Sequence, residues 1–599
     1  MGGTHAMKRL SIVLFFALAG GLAWGWFKLN QPAEPMEMSE PLRIEQGVVI
    51  GGIDHDNPDI KVFNGLPYAT ARRWTAPDTA PQWGAIPRDS RKFGAECLQP
   101  RASLGGFVND IVEGVGLPWW KRILAEKYLA AQPRPPESET CLFLNVRTGN
   151  LNGDTPVPVM VWIHGGSHQA GSGSTSIYQS NGLVEKGVVL VTINYRLGPL
   201  GYLAHPALTE ADGTSGNYGL LDQMAALSWV RRNIASFGGD PNNITVFGES
   251  AGAQSVSELM ASPYSAGLFD KVILESGSSS YNALHLKKSP LASVRSAEDV
   301  GTEFLSTLVP PAAVAADLRA IPAAAIISRA EARSDLAGYF LPNVDGKVLP
   351  EMIGKAIRDG NVPHLPMLAG YNADEGSLFY DDIRSPTVLS KQITGSLEER
   401  EDALADVFGM NPAKALQSLY GMESLETWDR GAADMLGDDM FGVHMRFIGK
   451  QNADAGQPTW MYMFSRTWPS RHQTIGAYHS AEIPFVFDSH SPLLPVSHAD
   501  GKLTDIMTSY WTNFARTGNP NAEDLPEWPT YTSETDTWNE LHYPIEPHRE
   551  LRARKLDILE ENLIARIEAV TEVVAPRDMA LNMDPGLPSG DEEAVADSN

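Results

Sequence analysis

Ile244-Thr245-Val246-Phe247-Gly248-Glu249-Ser250-Ala251-Gly252 carries an apolar, β-branched run straight into a serine with glycine two positions away on either side. The run reads as a strand, and the residues beyond Gly252 read as a helix. A serine on so sharp a strand-to-helix turn has strained backbone angles, and its neighbours two residues away must be small. The turn lifts the hydroxyl clear of the sheet, and the helix N-terminus favours negative charge developing beside it. A glycine-rich turn without chemistry is the alternative reading of a bare G-x-S-x-G. The strand before and the helix after favour an exposed nucleophile.

Outward from this turn the same strand–helix alternation continues. Val157 to Ile163, Val188 to Asn194, Lys271 to Glu275, Pro366 to Tyr371 and Trp460 to Phe464 read as strands, several of them apolar on both faces. That is the mark of buried parallel strands. Leu220 to Ile234 places Leu221, Met224, Leu227 and Trp229 at helical spacing. The fold class is therefore α/β, a large central and mostly parallel sheet with helices on both faces. Nearer the N-terminus, Val48 to Gly52 and Val62 to Gly65 read as a hairpin. Asp54, Asp56 and Asp59 between them lack the later acidic ligand of a calcium loop and read as a turn. Two stretches look like additions. Arg101 to Glu137 is a cap-like insertion with Trp119 and Trp120 and a helical run to Ala131. Near the C-terminus, Leu556, Leu559, Leu563 and Ile567 form one helical stripe.

The 599 residues, 43% hydrophobic, can bury a large core. With 47 basic and 73 acidic residues the net charge is -26, so nucleic acid and anionic membrane surfaces would be repelled. Lys8 and Arg9 precede an apolar run from Leu10 to Phe27, the pattern of an export segment. At about 18 residues it is longer than a usual signal-peptide core and just long enough to span a bilayer, and both a cleaved signal peptide and a retained membrane anchor stand as readings. Residues 1–28 are read as that segment, 29–41 as a linker, 42–574 as the folded body and 575–599 as a disordered acidic tail. The body is expected outside the cytoplasm: periplasmic, secreted or membrane-anchored. Cys97 and Cys141, the two cysteines, can close a loop of about 45 residues or stand as separate buried thiols.

A hydroxyl is a weak nucleophile at neutral pH and needs a base and a place for the developing anion. The strand Val157 to Ile163 ends in His164-Gly165-Gly166-Ser167, where consecutive small residues let backbone N–H groups point at a reacting oxygen. The N–H of Ala251 adds to them. In this architecture the acid lies between nucleophile and base in the chain, and the base follows the last strands. Position alone offers Asp374 or Glu375 as acid, in the loop after Pro366 to Tyr371. It offers His472 or His479 as base, out of fourteen histidines.

Together these stretches resemble the type-B carboxylesterase/cholinesterase family, from about Leu42 to the neighbourhood of Tyr543. The likeness is carried by Phe63-Asn64-Gly65-Leu66-Pro67-Tyr68-Ala69, Ser138 to Val146, Asn194-Tyr195-Arg196-Leu197-Gly198, Gly216 to Gln223, the Ser250 segment, Val344-Asp345-Gly346, the Glu375 and His479 segments, and Trp511 to Pro520. The resemblance implies the α/β-hydrolase fold and a Ser250–Glu375–His479 triad. It implies oxyanion donors at Gly166, Ser167 and Ala251, a Cys97–Cys141 disulfide, and Glu249 as a supporting neighbour of the nucleophile. No metal or organic cofactor is implied, and the partner is a small-molecule ester.

The sequence departs from the pattern at Ser167, in place of the common glycine or alanine, and at His168, where an apolar side chain is usual. Thr140 stands where aspartate usually precedes the cysteine. The insertion does not supply the choline-binding tryptophan of cholinesterases. His168, Trp119 and Trp120 are candidate pocket residues, with His168 as a plain rim residue the alternative. The reading is a serine carboxylic-ester hydrolase. A lipase, or a hydrolase of polyester or mycotoxin esters, is the specialised variant. A non-catalytic cholinesterase-like binding protein is the competing class, opposed by the intact triad.

Overall fold

The computed structural model describes residues 35–100, 109–131, 134–151, 153–281, 284–291, 294–379, 395–492, 494 and 496–572. The expected export segment and acidic tail lie outside them. Among the described residues, no helix is long and apolar enough to cross a membrane.

One large sheet organises the chain. Its strands are β1 (Met38–Ile44), β2 (Gly47–Ile53), β3 (Lys61–Pro67), β4 (Gly84–Asp89), β5 (Phe143–Thr148), β6 (Val157–Ile163), β7 (Val189–Ile193), β8 (Gly239–Glu249), β9 (Lys271–Glu275), β10 (Met367–Asn372), β11 (Thr459–Phe464), β12 (Thr537–Leu541) and β13 (Glu546–Arg549). They lie in the order β1-β2-β3-β5-β7-β6-β8-β9-β10-β11-β12-β13, with β4 beside β2. From β7 to β12 every pairing is parallel, while β1-β2-β3-β5-β7 and β12-β13 pair antiparallel. The parallel centre is buried throughout at Val161, Ile163, Val246, Ile273, Leu368 and Met461, which explains why those stretches are apolar without alternation.

Helix α1 (Tyr218–Asn233) and helix α2 (Ala251–Ala261) flank this centre, and α3 (Val443–Asp454) and α4 (Ala553–Glu572) pack together farther along. The stripe Leu556, Leu559, Leu563 and Ile567 is buried, as its spacing requires. β1 begins at Met38 and so takes in the last residues of the stretch read as linker. Pro41 falls beside an irregularity in its pairing, where an edge strand tolerates a residue without an N–H.

The polar phrases of the sequence become internal ties. Asn194 accepts from the N–H of Gly173 at 2.8 Å, and the Tyr195 hydroxyl donates to the carbonyl of His164 at 2.8 Å. Arg196 grips Asp222 of α1 through two bonds of 2.7 Å, both groups buried. Asp54 accepts from Asn181 at 2.8 Å and pairs with Arg147 at 3.0 Å, so the acidic turn is anchored by a cation of β5. Cys97 and Cys141 form a disulfide across 44 positions. Among the described residues it is accompanied by no free cysteine.

Removing one partner of a buried ion pair strands the other without compensation, at a cost of about 3–5 kcal/mol. Asp222→Ala is therefore expected to lower the unfolding free energy by about that much, read from the denaturant midpoint of guanidinium unfolding.

Candidate active site

β8 ends at Glu249 and α2 begins at Ala251, leaving Ser250 alone to make the turn, at φ 55° and ψ -125°. The geometry is held by contacts that only glycine permits. A Cβ on Gly252 would sit 2.0 Å from the carbonyl oxygen of Ile163, and one on Gly248 would sit 2.7 Å from the same atom. Ser250 N–H donates to the carbonyl of Glu275 at 2.9 Å, pinning the turn to β9.

The end of β6 lies against this turn. A Cβ on Gly165 would meet the Glu249 carbonyl at 2.8 Å and the Ser250 Cβ at 3.1 Å. The chain then bends sharply, with positive φ at Gly166 (109°), Ser167 (55°) and His168 (58°). Among the described residues no acceptor takes up the N–H of Gly166, Ser167 or Ala251. These three N–H groups, in the two segments that meet at the Ser250 turn, thus remain without an internal acceptor.

Glu375 follows β10 and is buried. Its Oε1 accepts the N–H of Asn372 at 2.7 Å, and its Oε2 lies 2.6 Å from Nδ1 of His479. Asp374, the rival by position, turns the other way and accepts the N–H of Ala477 at 2.8 Å. His472 lies in the loop against Gly116, not at the acid. The imidazole of His479 is 3% exposed. Phe441 stacks on it at 4.6 Å between centroids, and Phe379 meets it edge-on at 5.0 Å. Phe441 is carried on a single π-helical stretch, Asp438–Gly442, that precedes α3; such widened turns frequently mark functional sites.

The second ring nitrogen, Nε2, is 3.1 Å from Oε1 of Glu249, the residue before the serine. That oxygen also accepts the hydroxyl of Ser480 at 2.5 Å. A lone pair cannot face a carboxylate favourably, so this contact is attractive only when a proton lies between the two groups. Burial accordingly raises Glu249 above the usual carboxylate range. Burial by itself would lower His479, but the carboxylates of Glu249 and Glu375 outweigh it and hold the imidazole above its ordinary value.

Two further buried carboxyls complete the cluster. Glu482 accepts from Nδ2 of Asn372 at 2.5 Å, and Glu275 accepts the indole N–H of Trp511 at 2.7 Å. Burial raises both, with the neighbouring glutamates adding to the effect. These two, with Phe441 and Phe379, were not singled out in the sequence. The available signal was a carboxylate closing an apolar strand at Glu275 and another amid Ala481, Ile483 and Pro484.

The expected pocket residues fall differently. His168 is no rim residue: it is 1% exposed, its ring tucked behind the turn. Trp119 and Trp120 begin helix Trp119–Ala131 and stand 75% and 45% exposed, so neither is enclosed by a pocket. The segment before that helix rests on the loop leading to His479, with Thr474 N–H donating to the Gly114 carbonyl at 2.8 Å. Contact through that segment leaves the tryptophans facing outward.

The Carboxylesterase family profile matches residues 39–559. The chain belongs to this family. It is 35% identical to the para-nitrobenzyl esterase of Bacillus subtilis over 490 residues, covering 79% of this chain and 89% of that protein. It is 31% identical to the fumonisin B1 esterase of Sphingopyxis macrogoltabida, covering 86% and 89%. A solved PNB esterase structure superposes with a TM-score of 0.70 at 30% identity, covering 87% of this chain and 99% of that one. The architecture is the α/β-hydrolase fold, and this carboxylesterase is a carboxylic-ester hydrolase acting on small-molecule esters.

Glu249→Gln removes one of the two anions that hold a proton on His479. The imidazole is then expected to titrate at lower pH, read from its ring-proton shifts and from a matching move of the acid limb of kcat/KM. An unmoved limb would contradict the arrangement.

Proposed function

We propose that ester hydrolysis in this chain proceeds through an acyl-enzyme on Ser250, with His479 as general base and Glu375 as its orienting carboxylate. The observation that carries the reading is the buried 2.6 Å contact between Nδ1 of His479 and Glu375, with the other ring nitrogen turned toward the nucleophile's turn. Glu375 fixes the proton on Nδ1, and Nε2, which faces Glu249 at 3.1 Å in the resting site, exchanges that contact for the serine hydroxyl and takes its proton. The Ser250 oxygen adds to the ester carbonyl carbon, and the carbonyl oxygen becomes an anion facing the N–H groups of Gly166, Ser167 and Ala251. Each such donor typically contributes about 3 kcal/mol to the transition state. The alcohol departs with the proton from Nε2. Water then repeats the addition at the acyl carbon, giving its proton to His479, and collapse releases the acid and restores the hydroxyl. Glu249 stabilises the imidazolium formed in both halves.

The catalytic body is also proposed to work outside the cytoplasm. Support comes from the basic-then-apolar order of residues 8–27 and from the Cys97–Cys141 disulfide, a bond favoured in oxidising compartments. Cell fractionation checks this: esterase activity confined to the cytosol would reject it.

Ser250→Ala is expected to lower kcat on a short-chain p-nitrophenyl ester by about 10⁴–10⁶-fold, with an unchanged fold by circular dichroism. An organophosphate should label the parent enzyme once, on the peptide carrying Ser250. Parent-level turnover in the alanine variant would overturn the assignment.

A further inference from the structure

Two consecutive residues without the freedom of glycine, Ser167 and His168, both sit in the left-handed region beside the amide donors. Each such residue costs on the order of 1–2 kcal/mol, and such conformations persist only where the surroundings over-determine them. Part of the restraint is backbone: the His168 carbonyl accepts from Gly198 N–H at 2.7 Å. The rest comes from a side chain that the ester chemistry above does not use.

The His168 ring lies against Tyr202, edge to face at 5.1 Å. Its Nε2 is 3.1 Å from the hydroxyl of Ser255, a buried residue of the helix that Ser250 starts. The same hydroxyl oxygen accepts from the side-chain amide of Gln223, on α1, at 3.0 Å. The Ser255 hydroxyl has one proton and two lone pairs, so it takes the Gln223 N–H and still has capacity to bond Nε2 of His168, as donor or acceptor according to the ring's tautomer. Burial pushes His168 down to about 3, so the ring stays neutral throughout the working range and the brace carries no charge.

We propose that His168, Ser255 and Gln223 form a brace that fixes the Gly166–Ser167 turn against the nucleophile's helix, with His168 a positioning residue for the oxyanion donors. The proposal rests on those amides serving as the oxyanion hole. It links the two halves of that hole, since Ala251 lies on the Ser255 helix while Gly166 and Ser167 adjoin His168. A shift of the turn would misdirect two donors of three while leaving ground-state binding of the ester almost untouched.

The test compares His168→Phe, Ser255→Ala and the pair with the parent enzyme, using a p-nitrophenyl ester and a trifluoromethyl ketone. The ketone adds reversibly to a serine and creates the oxyanion; a methyl ketone of the same shape serves as the ground-state control. Each single variant is expected to lose about 10–100-fold in kcat with KM within about twofold. Affinity for the trifluoromethyl ketone should fall in parallel and that for the methyl ketone should not. The pair should be no worse than either single change, because both break one link. His168→Gln, whose amide can bond the Ser255 hydroxyl as donor or acceptor, should recover most of the loss. Parent-level kcat and ketone affinity in both His168→Phe and Ser255→Ala would overturn the brace. Failure of the parent itself to bind the trifluoromethyl ketone would instead overturn the oxyanion-hole reading. Should His168→Phe not fold, Ser255→Ala and Gln223→Leu carry the same comparison.

Discussion

The site depends on two neighbouring strand ends meeting through bare backbone. β6 and β8 pair in parallel with Ile163 opposite Gly248, so both chains leave the sheet at the same level and turn toward each other. The Ile163 carbonyl occupies space that a Cβ on Gly248 or Gly252 would need. Any side chain there would push the strand end carrying the amide donors away from the turn carrying the hydroxyl. The strain at Ser250 is thus imposed by the sheet register, and the same register brings Gly166, Ser167 and Ala251 to one place. Strain of this kind persists only where the surroundings are rigid, and here they are the buried parallel centre of the sheet.

The second organising feature is buried negative charge. Glu249, Glu275, Glu375 and Glu482 are all buried, and two of them, Glu249 and Glu375, touch one imidazole. An isolated buried carboxylate would be expensive, and a buried acid without compensation takes up a proton instead. Raised proton affinity at Glu249, Glu275 and Glu482 is the form that compensation takes. The cluster shares few protons among several acceptors, and His479 is the member that faces the nucleophile's turn.

Much of this was legible in the sequence for definite reasons. Buried parallel strands must be apolar on both faces, so β6, β9, β10 and β11 stand out within a residue of their observed ends, whereas β8 begins at Gly239, five residues before the apolar run that starts at Ile244. The turn at Ser250 is visible because sterics demand Gly248 and Gly252. Choosing Glu375 over Asp374 needed the family likeness; in the structure the reason is local, because Asp374 is committed to the N–H of Ala477. His168 was read as a pocket or rim residue because an apolar side chain is usual there, whereas it lies buried. Ser255 lies 87 residues from it and Gln223 a further 32 from Ser255, and no local pattern links them. Phe441 was invisible for a related reason: a widened helical turn leaves no periodic mark.

The acid loop is held from behind by a late part of the chain. Arg552 donates to the Ala373 carbonyl at 2.7 Å and to Asp438 at 2.6 Å, where the hydroxyls of Tyr371 and Tyr420 also converge. The residue that steadies the loop of Glu375 is therefore synthesised some three hundred residues after the nucleophile. Biosynthesis consequently yields a polypeptide whose sheet centre can assemble early while the loop of Glu375 stays unsecured. A nascent chain still on the ribosome lacks this tether until residue 552 has been added.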